Sequence, residues 1–137
     1  MHLRRVTAND HHVVESLLCI CGLTTAVHWH NEDRGILAEA FKTSGVRNVG
    51  CLLYIPQVKA VQLTCLCVVP SYQNLGVAKE LFNVFVSALP TDVVHVRALA
   101  RQGRGDERLL EKLGFKMREF TLRSESGVKL RPYVLNL

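Results

Sequence analysis

The stretch Val68-Val69-Pro70-Ser71-Tyr72-Gln73-Asn74-Leu75-Gly76-Val77-Ala78-Lys79-Glu80-Leu81 constrains the fold of this chain more than any other. The apolar run 61–69, rich in Val, Leu and Cys, predicts a buried strand, and a proline stops it. A short polar loop follows. Val77, Leu81, Val84, Phe85 and Ala88 then recur at helical spacing until Pro90. Gly76 and Ala78 open that helix. A helix start presents backbone N–H groups without intrahelical partners and a partial positive charge, so it attracts anions. Gly76 lets a phosphate approach the backbone closely, and Ala78 keeps the next turn small.

The rest of the chain reads as one domain over residues 1–137. With 48% apolar and 21% charged residues it can bury a core of its own. Residues 2–6 predict a first strand, and Thr7 with Asp10 a helix start. Val13, Val14, Leu17, Leu18 and Cys21 form one helical face, closed by Gly22. Ile36, Leu37, Ala40 and Phe41 predict a second helix ending at Ser44-Gly45. Residues 46–55 and 61–69 predict an antiparallel hairpin. The helix 76–89, a strand over 93–100, a helix over 106–113 and a last hairpin of 115–122 with 128–135 complete the chain. The order is β-α-α-β-β-α-β-α-β-β, an α+β fold with a mixed, mostly antiparallel sheet flanked by helices.

Val68, Pro70, Gln73, Gly76 and Ala78 satisfy the pattern V-x-P-x-x-Q/R-x-x-G-x-G/A, and the segment resembles the signature of the GNAT acyltransferase superfamily. Leu110-Glu111-Lys112-Leu113-Gly114-Phe115 is similar to that family's later motif Y-E-K-L-G-F. One helix and one strand separate the two motifs, as in the family, and the resemblance spans essentially the whole chain. It implies acetyl-CoA, or a related acyl-CoA, as co-substrate and a primary amine as acceptor, with direct attack in a ternary complex. The pyrophosphate would rest on the backbone of Gln73, Asn74, Leu75, Gly76, Val77, Ala78 and Lys79. Pantetheine would pair like an added strand with Leu66, Cys67 and Val68. Arg101, Arg104 and Arg108, with Lys79, are the candidate phosphate cations.

The sequence departs from the family where protons move. Relatives carry a Glu on the strand before the loop, and here Gln62 and Thr64 stand there. The Tyr that protonates the leaving thiolate is replaced by Leu110, and no Asn lies in 102–106. His95, on the strand after the loop helix, is the candidate base, since an imidazole titrates near neutrality. His28, Trp29, His30 and Glu32, beside Asp33, lie in a segment that lines the acceptor site in similar domains, and they suit a cationic amine. Transfer then relies on positioning and thioester reactivity. The alternative is a catalytically weak or inactive module that binds acyl-CoA or a protein partner.

Seventeen Lys and Arg against twelve Asp and Glu give a formal charge of +5, which favours phosphate and carboxylate partners. The basic residues are scattered without aromatic interleaving, which argues against nucleic acid. No apolar run reaches the ~20 residues of a membrane span and no signal-like segment opens the chain, so the expectation is cytoplasmic. A homodimer stays open. Five cysteines in such a chain predict reduced thiols. Cys19/Cys21 and Cys65/Cys67 are each separated by one residue, closer than the spacing of structural zinc ligands, so no metal is expected with His28 and His30. Buried thiols behave as small hydrophobes.

Overall fold

A computed structural model describes residues 1–21, 34–101, 105–119, 121–123, 127 and 129–137. Among the described residues, eight strands join one mixed, mostly antiparallel sheet, accompanied by three α-helices. The chain falls into two compact units, and two of its strands contribute residues to both.

The first unit comprises Met1–Ile55 and Thr64–Leu89. Strand β1 (His2–Arg5) pairs antiparallel with β2 (Arg34–Lys42), His2 opposite Glu39 and Arg5 opposite Ile36. Between them a 3₁₀ turn, Ala8–Asp10, leads into α1 (His11–Ile20). The Asp10 carboxylate accepts from the Thr7 backbone N–H at 2.8 Å and from both terminal nitrogens of Arg4 at 2.8 and 2.7 Å. This buried acid fixes the start of α1, whose Val14, Leu17 and Leu18 are buried. Gly22, expected to close the helix, lies outside the described residues.

The expected second helix is β2. Ile36, Leu37 and Ala38 are all buried, as in a strand covered on both faces. A short apolar run of this kind carries no decisive periodicity, and its spacing fits a helix as well as a strand. Gly35 settles the packing. A Cβ there would lie 2.6 Å from Leu53 Cδ2 and 2.7 Å from the Leu52 carbonyl oxygen, so the strand through Leu52 and Leu53 approaches too closely for any side chain. The element order is therefore β-α-β-β-β-α-β-α-β-β-β, within the expected class.

Strand β3 (Gly45–Gln57) runs antiparallel to β2, from Lys42 opposite Gly45 to Arg34 opposite Tyr54. Strand β4 (Ala60–Val68) alternates: Val61, Leu63, Cys65 and Cys67 are buried, and Gln62, Thr64 and Leu66 are half-buried. After it comes α2 (Val77–Ser87), which buries Val77, Leu81, Phe82 and Phe85 and sets the Phe85 ring 4.9 Å from that of Tyr54.

The second unit comprises Pro56–Leu63 and Pro90–Leu137. Strand β5 (His95–Arg101) lies parallel to β4 from Ala60 opposite His95 to Leu63 opposite Ala98. After α3 (Asp106–Lys112), the short strands β6 (Lys116–Met117) and β7 (Leu122–Arg123) both pair antiparallel with β8 (Lys129–Asn136), which pairs antiparallel with β5. The expected hairpin strand 115–122 is thus split. Arg118 N–H donates to the Pro132 carbonyl at 2.8 Å, but proline has no N–H to return, and the ladder breaks there. Beyond the break the register has moved by two residues: Met117 faces Tyr133, whereas Leu122 faces Leu130.

Candidate functional site

The segment that follows β4 holds its shape through its own backbone. Val69 N–H donates to the Val49 carbonyl at 2.8 Å, which ties the loop to β3. Pro70–Tyr72 forms one 3₁₀ turn, closed by Tyr72 N–H to Val69 O at 2.9 Å. Gln73 is the polar residue of the motif, and its role is structural: the side-chain amide donates to the Val68 carbonyl at 3.1 Å, bracing the loop against the strand end. Asn74 and Gly76 both have positive φ, +63° and +81°. At Gly76 nothing would touch a Cβ within 4 Å, so conformation alone demands glycine, and the space above it is open.

The first helical bond of α2 runs from Glu80 N–H to the Gly76 carbonyl at 3.0 Å. The N–H groups of Gly76, Val77, Ala78 and Lys79 therefore have no acceptor in the preceding turn. Asn74, Leu75, Gly76 and Lys79 are exposed, Ala78 is half-buried and Val77 is buried. These N–H groups stand at the positive end of the helix dipole with open space at Gly76, an arrangement that suits an anion.

Two cations that the sequence did not reveal stand beside Tyr72 of the loop. The tip of the β2–β3 hairpin sets Lys42 Nζ 5.9 Å and Arg47 Cζ 5.7 Å from the Tyr72 ring centre. Among the described residues neither is in an ion pair. They lie some thirty positions from the loop in the chain, and only the strand pairing brings them back; their separation from the loop in sequence hides them.

Leu66, Cys67 and Val68 end β4, which continues five residues past Leu63, the last residue paired with β5. The Val68 carbonyl already accepts from Gln73 and, at 3.7 Å, from the Cys21 thiol. The Thr64 hydroxyl is buried and has no hydrogen-bond partner among the described residues. An unsatisfied buried hydroxyl costs about 1–3 kcal/mol, and an amide or carbonyl of a bound ligand would satisfy it. The open space at Gly76 and the orphaned Thr64 hydroxyl fit a ligand carrying phosphates and amides.

His95 begins β5, in register with Ala60, the first residue of β4, whereas the loop follows Val68, its last. Its Nδ1 is 2.8 Å from the Asn136 side-chain oxygen. Leu110 is buried in α3 and offers no proton. The neighbouring phenol, Tyr133, is also buried; it donates to Glu111 at 3.4 Å, and burial followed by Glu107 and Glu111 keeps it protonated. Arg101 is spent on Asp106, with its backbone N–H at 3.0 Å and Nε at 2.9 Å from the same carboxylate oxygen, so it braces the start of α3. Arg108 is exposed on α3. Arg104 and the acceptor candidates His28, Trp29, His30 and Glu32 lie outside the described residues.

The thiols group differently from their sequence pairs. Cys51, Cys65 and Cys67 are buried with all three sulfurs within 4.8 Å of one another, while Cys19 is exposed. Hydrogen bonding with Cys65 and Cys67, and then burial, push the Cys51 thiol well up, and Cys67 does the same to Cys21. Cys51 is thereby kept a neutral group of the core.

No family model matches the sequence, and no curated protein does. Solved structures do match in shape. Arabidopsis thaliana NAA60, in complex with a bisubstrate analogue, superposes with a TM-score of 0.79 at 13% identity, covering 98% of this chain and 97% of that one. An aminoglycoside 6'-N-acetyltransferase complexed with coenzyme A gives 0.71 at 14% identity, over 99% and 97%. A member of the GNAT family from Desulfovibrio desulfuricans gives 0.72 at 19% identity, over 98% of each chain. The chain has the fold of the GNAT-family acetyltransferases.

Proposed function

We propose that this chain transfers an acetyl group from acetyl-CoA to a primary amine by direct attack in a ternary complex. The observation that carries the reading is the segment from Val68 to Lys79: a braced strand end, a glycine at φ +81° and four N–H groups without acceptors in the preceding turn, in a fold shared with proteins solved with coenzyme A and with a bisubstrate analogue. The pyrophosphate rests on the backbone from Gln73 to Lys79, with Lys42 and Arg47 as the nearby cations in place of Arg101. Pantetheine pairs with β4 at Leu66, Cys67 and Val68, through groups other than the occupied Val68 carbonyl, and the Thr64 hydroxyl takes one of its polar groups.

The reaction needs a neutral amine. Its lone pair attacks the thioester carbonyl, the C–N bond forms, the C–S bond breaks, and the nitrogen gives up a proton while the thiolate takes one. Gln62, Thr64 and Leu110 can do neither proton transfer. With His95 bonded to Asn136 in register with Ala60, we assign deprotonation to water and the acceptor's own basicity. Rate then comes from holding the two reactants together. His28, Trp29, His30 and Glu32 remain our acceptor-side candidates. The same reading takes residues 1–137 as one functional domain acting in the cytoplasm, and among the described residues no helix is long and apolar enough to cross a membrane.

Gln62, Thr64 and Leu110 also favour a second reading, a module that binds acyl-CoA without turnover. Thermal-shift titration with acetyl-CoA and CoA, followed by thiol release over a panel of amines, separates the two. Stabilisation with release supports transfer, stabilisation without release supports the binding module, and no stabilisation rejects both.

A further inference from the structure

The second unit carries a groove of about 490 Å³ along β5, β8 and β6, a volume that suits one small molecule. Its charge is one-sided. Arg97 projects from the middle of β5, Lys116 from β6, and Arg118 follows directly; all three are exposed. No Asp or Glu is among the described residues that line it. The acids of α3 are engaged elsewhere: Asp106 holds Arg101 at 2.9 Å, Glu107 faces Arg131 at 3.8 Å, and Glu111 accepts from Tyr133.

Among the described residues the cations themselves lack counter-charges. Arg97 makes one long contact, 3.4 Å, to the neutral amide of Gln57. Neither Lys116 nor Arg118 is in an ion pair among the described residues. Three like charges around one concavity raise the local potential and concentrate anions there. Leu99, nearly half exposed, supplies apolar wall beside the charges. Of the two aromatic rings in the lining, Tyr133 is 1% exposed and cannot stack on a ligand, and His95 is held by Asn136 at 2.8 Å.

We propose that this groove is a binding site for a small molecule bearing carboxylate or phosphate groups, held by Arg97, Lys116 and Arg118. The site stands independently of the transfer reading.

The test uses the intact isotope-labelled chain, with backbone amide shifts followed during titration by L-glutamyl-L-glutamate, by inorganic phosphate and by L-lysyl-L-lysine. The expected result is that the acidic dipeptide, phosphate or both move the Arg97, Met117, Arg118 and Asn136 amides, that added salt weakens the effect, and that the basic dipeptide leaves them still. Arg97→Ala and Lys116→Ala, both at exposed positions, should each weaken the effective probe about tenfold. Competition between the two probes shows whether the carboxylate or the phosphate is preferred. Equal response to the basic dipeptide, indifference to both substitutions, or silence towards both anions up to about 10 mM would overturn the proposal. Acetyl-CoA binding is measured in a separate titration, so a silent groove in a chain that binds acetyl-CoA rejects the groove alone.

Discussion

The loop between β4 and α2 and the positions that should move protons are two regions of one proposed reaction with opposite fates. In the loop the motif residues have identifiable places: Gln73 braces Val68, and Gly76 adopts φ +81° with open space where a Cβ would stand. At the proton positions the side chains are Gln62, Thr64 and Leu110, and the phenol near α3, Tyr133, is tied to Glu111. The difference is one of chemistry. Anion capture by a helix start uses backbone and tolerates most side chains, whereas proton transfer needs one particular group at one particular atom. A chain can therefore keep the first and shed the second.

The largest effect should come from the backbone feature itself. Gly76→Asp forces a Cβ onto a positive φ and places a carboxylate at the proposed anion site, and acetyl-CoA affinity should fall at least a hundredfold by calorimetry, about 3 kcal/mol. Parental affinity would break the comparison at its stronger half.

Next in size is a change that should cost stability and spare the loop. Hydrogen bonds from Arg4 chiefly, and then from Thr7, hold the Asp10 carboxyl well below the usual carboxylate range. A lowered folded-state pKa stabilises the fold above the unfolded value of about 3.9, and that contribution is lost as pH falls below it. Asp10→Asn should lower urea-unfolding stability by about 2 kcal/mol at neutral pH, with the gap to the parent closing in acid. Acetyl-CoA affinity of the folded variant should be unchanged.

A smaller effect is expected at Arg47. If it contacts a phosphate beside Tyr72, Arg47→Ala should weaken acetyl-CoA about threefold to fivefold, less at high salt, consistent with under 1 kcal/mol for an exposed pair. No salt dependence would remove the hairpin tip from the site.

The chemical half of the comparison is probed by Leu110→Tyr, which restores a phenol to α3. Where proton donation limits the rate, thiol release should rise by up to about tenfold, at some cost in stability because Leu110 is buried. Smallest of all should be His95→Gln. The pH dependence of transfer should follow the pKa of the amine supplied and survive the substitution. A limb that vanishes with His95 would give the chain a side-chain base after all.

What the sequence revealed follows the same division. Pro70, Gly76 and the periodicity of α2 made the loop legible because its determinants are local. The run around Ile36 was misread because burial on both faces erases periodicity, and the close approach that requires Gly35 belongs to β3 rather than to neighbouring residues. Pro132 could have marked the break between β6 and β7, had the facing strand been known. Lys42 and Arg47 could not be found, since their meeting with Tyr72 depends on a hairpin returning to a loop some thirty residues on.

The central claim is that the loop binds acyl-CoA whatever the chemistry does. Calorimetric titration of acetyl-CoA into the intact chain tests it most directly. The expected result is one site with a Kd on the order of micromolar, weakening as salt rises. No binding at about 1 mM acetyl-CoA, by a chain shown to be folded, would contradict it.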